Sequence, residues 1–431
     1  MKNQKMIIKL AGGHKTFIRF LVFFTIIFSK NVFAVQIYDY HTENFINKIN
    51  LKILTVNSYD KQIYFRIYKD DFPNAYVTEE NIIYLSSGLL VYSPNYVSLL
   101  GVLAHEIGHL EKYHVSKRKK EIKNLKNISS YGNLAAVVGS MIIQEPSILN
   151  AVLVNQTAVN NLFISFSQEQ EIEADFYAIE TINKLKLPTA PVKEFLLILE
   201  NKTGSNLIDE ELKKFSTHPI FKKRYEIIDN NTSDESYSFN MSYQREFDFI
   251  QAKFMAYTNS GRISKLNKDQ RIYYDSIQLS KSGNLLESLK KINYLISKNK
   301  NDYFFEETKA DILLTYGYNK EAIEFYIKVL HAQPNNIYAK YNIFVNLTLD
   351  STDYEFNEDF FSNNIKLLKY FPNNKNILTK YYNLAKILKY DEWILLFETL
   401  LFHSNDANKI IDQLNKQTKD YNLKKIIKLY N

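Results

Sequence analysis

The chain has 431 residues, a net charge of +7 and no cysteine. That length suits two or three domains, and hydrophobic residues at 45% with charged residues at 23% exclude wholesale disorder. The absence of cysteine excludes a disulfide scaffold, a thiolate zinc finger, a thiol nucleophile and a cysteine-linked lipid anchor. Only 11 glycines and 8 prolines occur, far below the roughly 12% of an average chain, so a mainly helical protein is expected.

The segment 1–34 holds Lys2, Lys5, Lys9, Lys15, Arg19 and Lys30 and no acidic side chain. An apolar run from Phe20 to Phe28 follows the basic part, and Val32-Phe33-Ala34 supplies a small-x-small exit. This pattern is that of a cleavable secretory signal peptide, and the run is too short to span a bilayer, which takes about 20 residues. Its removal brings the net charge from +7 to about +1. The basic balance therefore belongs to an address, and no nucleic-acid partner is expected.

Residues 35–228 mix strand and helix patterns. Lys61 to Lys69 alternates apolar and polar side chains with period two, Asn81 to Ser86 predicts a second short strand, and Phe72-Pro73-Asn74-Ala75 between them is turn chemistry. The strand near Asn81 to Ser86 offers an edge on which an extended peptide could pair. From Ser98 to Lys117, Leu99, Leu100, Leu103, Ile107 and Leu110 recur at helical spacing. Tyr131 to Phe166 is unusually apolar and predicts a helical pair over the site that touches the membrane surface without inserting. Asp229 to Asn240 is polar and turn-rich, and the domain boundary is placed there, with 229–268 as a linker and connecting helix.

Residues 269–431 carry an internal period. One interval separates Gly283 from Gly317, Ser288 from Ala322, Ile292 from Tyr326, and Asn301-Asp302 from Asn335-Asn336. This pattern resembles the tetratricopeptide repeat, with Gly317 to Asn336 as the best copy and Pro334 where that repeat places proline. The next turn, Pro372-Asn373-Asn374, falls beyond the place that this interval predicts from Pro334, so the third unit is stretched. The fourth, Lys375 to Asp406, is degenerate. The resemblance implies an α-solenoid that buries its apolar faces by stacking and offers a binding surface.

The chemistry lies in His105-Glu106-Ile107-Gly108-His109. Residues four apart share a helix face, so both imidazoles can reach one ion, while the adjacent glutamate sits at the edge of that face and can act on water. A further ligand from the same helix is excluded in one known form, because the positions three and six after His109 are Lys112 and Val115. His114, five positions on, is rotated away and is read as a surface residue. A second helix supplies carboxylates: Glu171 and Asp175 are four apart on one face, with Ala174 small enough for close packing. Glu169 and Glu173 are turned about 160–200° from Glu171 and are expected in solvent. Spacing alone leaves Glu171 between a ligand and a wet helix face.

HEIGH followed about 60 residues later by ExxAD resembles the zinc metallopeptidases of the HtpX and CaaX-prenyl-protease type, and the signal and repeats resemble its periplasmic members. Asn74-Ala75-Tyr76, Ser87-Gly88-Leu89-Leu90 and Thr217-His218-Pro219 with Arg224 match further elements of that family. The resemblance implies a zincin-like domain of helices with a small β-sheet over 35–228. It assigns one Zn2+ per chain to His105, His109 and Glu171, the base to Glu106, and a supporting or proton-donating role to Asp175. It places His218 and Arg224 at an oxyanion or regulatory position, and Asn74 and Ala75 at the strand that pairs with substrate. Where relatives often carry arginine three positions before the ligand glutamate, this chain has Gln168, which puts a supporting ion pair in doubt. The implied function is a periplasmic endopeptidase for unfolded or stalled envelope proteins, its repeats docking substrate or outer-membrane assembly machinery. The competing reading is a repeat-based chaperone or scaffold with a latent metal site.

Overall fold

In the computed structural model of the protein, the residues described are 36–117, 120, 166–205, 222–232, 238–259, 263–300, 302–349, 355–402 and 406–430. The expected signal peptide, most of the apolar stretch 131–166, and His218 with its neighbours lie outside them. The fold is mainly helical with one small mixed sheet, as its composition predicts.

Strand β1 (Gln36–Ile37) leads into helix α1 (Tyr40–Val56). The Asp39 side chain caps that helix by accepting from the Thr42 N–H at 2.8 Å. Phe45, Ile46, Ile49 and Ile53 recur on one face of α1 and are fully buried. Strands β2 (Tyr64–Tyr68), β3 (Ala75–Val77) and β4 (Ile82–Ser86) follow, and the sheet order is β1-β2-β4-β3. β2 pairs parallel with β4, and β3 pairs antiparallel with it. The strand at 82–86 is therefore internal, paired on both sides. The edge belongs to β3, a short strand that begins within the expected turn at Ala75.

A short helix α2 (Ser87–Tyr92) turns the chain into α3 (Tyr96–Glu111), which carries the HEIGH segment through the centre of the core. Helix α3 has a capping box between Asn95 and Ser98. It ends at Glu111, short of the Lys117 that its apolar spacing predicts, because Tyr113 takes the left-handed conformation with φ of 58°. Helix α4 (Gln168–Lys184) packs along α3. The close approach depends on small residues: a Cβ on Gly108 would lie 3.1 Å from both Ala174 Cα and Tyr177 Cβ. Helices α5 (Ala190–Ser205) and α6 (Lys222–Asn230) close the other side of the cleft.

Helix α7 (Met241–Thr258) packs on α1, α2 and α3, and it buries Phe247, Ile250, Ala252, Met255 and Ala256. From α7 the chain continues in antiparallel neighbours: α8 (Lys268–Lys281) with α9 (Leu285–Lys298), and α10 (Tyr303–Thr315) with α11 (Asn319–Ala332). Gly283 and Gly317 occupy the turns inside these two pairs with φ of 89° and 79°, so an equivalent left-handed turn recurs at the interval seen in the sequence. Helices α12 (Ile337–Asn346), α13 (Glu358–Asn364), α14 (Lys375–Leu388), α15 (Asp391–Phe402), α16 (Ala407–Gln417) and α17 (Tyr421–Ile427) complete the chain. The core that holds α3 runs on without a break through Phe247, Tyr273, Phe304 and Ile312, whereas the last helices bury a separate cluster around Tyr381, Trp393 and Phe397. Among the described residues no helix is long and apolar enough to cross a membrane.

Candidate metal centre

Three helices bring the candidate residues together. Helix α3 presents His105, Glu106 and His109, α4 presents Glu171 and Asp175, and α6 presents Arg224, all of them buried. One ligand atom from each of His105, His109 and Glu171 lies within 4.8 Å of the others. The two imidazole Nε2 atoms face each other at 3.1 Å, and the two Glu171 carboxylate oxygens lie 3.4 Å from them, Oε2 near His105 and Oε1 near His109.

The chemistry of this donor set fits a divalent cation. Two imidazole nitrogens and a carboxylate converge on one point in a buried place, where they would otherwise bring acceptors against acceptors. The outer nitrogen of His105 meets Asp175 Oδ1 at 2.9 Å. A carboxylate only accepts, so Nδ1 carries the proton and the Nε2 lone pair is turned into the site. Phe166 stacks on the His109 ring with centroids 3.7 Å apart, which fixes that ring's plane.

Arg224 ties the carboxylates in place. Its Nε donates to Asp175 Oδ2 at 2.6 Å, its Nη2 to Asp175 Oδ1 at 2.8 Å, and its Nη1 sits 3.1 Å from Glu171 Oε2. Burial raises the Asp175 pKa, but the Arg224 guanidinium and the His105 hydrogen bond outweigh it and hold the carboxyl below its ordinary range. The guanidinium thus stands on the carboxylates of the site, a place that the spacing of the sequence did not indicate. With Gln168 at the start of α4, this ion pair comes from α6.

One of the sequence expectations changes. His114 is buried, not on the surface: its Nδ1 lies 3.0 Å from His109 Nδ1 and its Nε2 lies 3.0 Å from Glu173 Oε2. Glu173 is exposed, as its place on α4 predicts, and its carboxylate also meets His114. Burial lowers the His114 pKa more than Glu173 raises it, which favours a neutral ring.

A cleft of about 80 Å³ opens beside the site. Its polar wall is His105, Glu106, Asp175 and Arg224, and its apolar wall includes Val192, Phe195, Leu196 and Leu199 from α5. Phe72 to Ala75, leading into the edge strand β3, form a third side. Asn74 does not offer its peptide groups outward: its N–H donates to Ser86 Oγ at 2.8 Å and its C=O accepts from the Ser86 N–H at 3.0 Å. With Thr78 likewise bonded to Ile82, antiparallel alternation turns the peptide groups of Ala75 and Val77 toward the open side of β3.

Comparison with known proteins agrees with this geometry. Residues 46–232, which hold every residue of the cluster, match the model of peptidase family M48. The chain is similar to the protein named beta-barrel assembly-enhancing protease in Yersinia pestis, at 26% identity over 190 residues, 43% of this chain and 38% of that one. It is likewise similar to those of Escherichia coli strain K12 and Shigella flexneri, each at 24% identity over 220 residues, 51% of this chain and 44% of theirs. The matches thus span about two fifths of the length of these curated relatives. The segment that builds the site is thus similar to peptidase family M48.

Proposed function

We propose that the protein is a zinc-dependent endopeptidase of the periplasm that hydrolyses unfolded or misassembled outer-membrane proteins. The observation that carries this reading is the convergence of two imidazoles and one carboxylate beside Glu106, in a cleft bordered by the edge strand β3. Zinc is the cation best suited to this ligand set, and when bound at three protein ligands it supplies Lewis-acid polarisation and activation of water.

The rest of the work falls to side chains of this chain. An extended substrate pairs its backbone with the outward peptide groups of Ala75 and Val77, which reads main chain more than side chain and gives broad specificity. Glu106 accepts the proton of the attacking water and hands it to the amine nitrogen as the C–N bond breaks. Asp175 holds the His105 tautomer, and Arg224 keeps Asp175 charged and holds both carboxylates in place. His218, which follows α5 in the chain, is assigned to the oxyanion or to regulation of the resting site.

The same reading assigns 1–34 to a cleavable signal peptide, 35–228 to the peptidase domain, 229–268 to the connection and 269–431 to tetratricopeptide-like repeats. The repeats dock substrate or the outer-membrane assembly machinery, consistent with the name carried by the similar proteins, and 131–166 contacts the membrane surface. A scaffold with a latent metal site is the rival reading. Cleavage of an unfolded β-barrel protein by the wild type but not by Glu106→Gln separates the two, because a scaffold has no use for a base.

A further inference from the structure

Helix α3 ends just beyond His109, and after the left-handed turn at Tyr113 His114 is buried against the Nδ1 edge of the His109 ring. The result is a line of three side chains that leads into the site. Glu173 Oε2 meets His114 Nε2 at 3.0 Å, His114 Nδ1 meets His109 Nδ1 at 3.0 Å, and His109 Nε2 faces His105 Nε2 and Glu171.

Donor and acceptor roles along this line follow from its two ends. The Glu173 carboxylate only accepts, so His114 Nε2 carries a proton. At the other end His109 turns Nε2 into the cation site, so the proton in the 3.0 Å contact between the two Nδ1 atoms belongs to His109 and His114 Nδ1 accepts it. His109 Nε2 is left with its lone pair directed at the site, which is the form that binds a cation. His105 reaches the same state directly through Asp175, whereas His109 reaches it through an intervening imidazole.

We propose that His114, anchored by Glu173, is a positioning residue that fixes the tautomer of His109 and thereby sets how tightly the site holds its divalent cation. The proposal rests on the zinc reading of the site, and it adds two residues that neither touch the cation nor face the cleft.

The test is zinc affinity, measured on the metal-stripped mature chain by competition with a chromophoric chelator, with the unfolding midpoint of each apo variant as a control. His114→Phe fills the space but removes the acceptor, and should weaken zinc binding about 10- to 100-fold. His114→Asn places an amide oxygen near the former Nδ1 and should keep affinity within about threefold of wild type. Glu173→Ala, at a side chain 54% exposed, should weaken binding by about three- to tenfold and serves if His114→Phe does not fold. Wild-type affinity in both His114→Phe and Glu173→Ala would overturn the proposal, as would equal losses in the Phe and Asn variants. A wild-type protein that takes up no zinc would instead overturn the reading of the site as a zinc centre, and the relay with it.

Discussion

Arg224 shows how a single residue holds the site's charge balance. It is 5% exposed and faces Asp175 and Glu171, two carboxylates that are also buried. Replacing it by methionine keeps the stem but leaves Asp175 without its cation in a place that water barely reaches. Removal of one partner from such a pair costs about 3–5 kcal/mol, so Arg224→Met should lower the urea midpoint of the metal-free protein at pH 7 by that equivalent, and Arg224→Lys by less. At this scale the two histidines were legible from their i,i+4 spacing and Glu106 from its place beside the first, whereas spacing put Glu171 and Asp175 on one face and only the family resemblance assigned them to the site. His114 was not. Its position was extrapolated along a helix that in fact stops at Glu111, and the stop is made by Tyr113, a residue type with no preference for the left-handed region. Arg224 is far from Asp175 in the chain, on a different helix, and no local pattern announces such a pairing.

Among the elements, the sheet sets which backbone groups stand open beside the cleft, and the proposed substrate pairing rests on them. The alternation of β2 and the short apolar run of β4 are plain in the sequence, but strand order depends on contacts between segments, and the short β3 takes the edge. Asn74 is committed to Ser86, so Ala75 and Val77 carry the outward peptide groups. Ala75→Pro removes one outward N–H while leaving the bonds of Asn74 and Thr78 to β4 in place. The loss of one such hydrogen bond is worth about 1 kcal/mol, so KM for an unfolded substrate should rise about fivefold with kcat little changed. An unchanged KM would mean that substrate does not add to this edge. The pairing of α3 with α4 was better signalled, since Gly108 and Ala174 are the small residues such a close approach requires.

At the scale of the whole molecule, a buried charged network joins the start of α1 to α7 and to α10 of the later helical pairs. Lys253 on α7 forms an ion pair with Asp39 at the start of α1, and it lies 3.8 Å from Glu307 on α10. Burial raises the Asp39 pKa, but Lys253 more than offsets it and brings it to about 2. The folded value is below the unfolded one, so this pair contributes stability above about pH 4 that is lost as pH falls toward 2. Asp311 behaves oppositely. Burial, with Glu307 adding to it, outweighs Lys253 and pushes Asp311 up to about 7, where the hydroxyls of Tyr326 and Tyr338 donate to its Oδ1. Here the native state binds the extra proton, so stability falls as pH rises from about 4 through 7. Glu43, raised by burial to about 7, adds to the same trend. The urea midpoint should therefore be higher at pH 5.5 than at pH 8, and Asp311→Asn should flatten that difference. An identical pH profile in the variant would contradict the role given to Asp311. The helical pairs and their regular spacing were legible in the sequence, because equivalent glycine turns recur. The continuity of the core from α1 into α10 was not, since it is made by side chains such as Phe45, Phe247 and Phe304 that meet only in the folded chain.

The central claim is that this metal centre cleaves peptide bonds with Glu106 as its base. The measurement that tests it most directly is hydrolysis of an unfolded β-barrel protein by the zinc-loaded mature chain, wild type against Glu106→Gln, with zinc content determined on both. The account predicts equal zinc in the two proteins and a rate about 10²- to 10⁴-fold lower in the variant. Equal hydrolysis by both, or none by a fully loaded wild type, would contradict it.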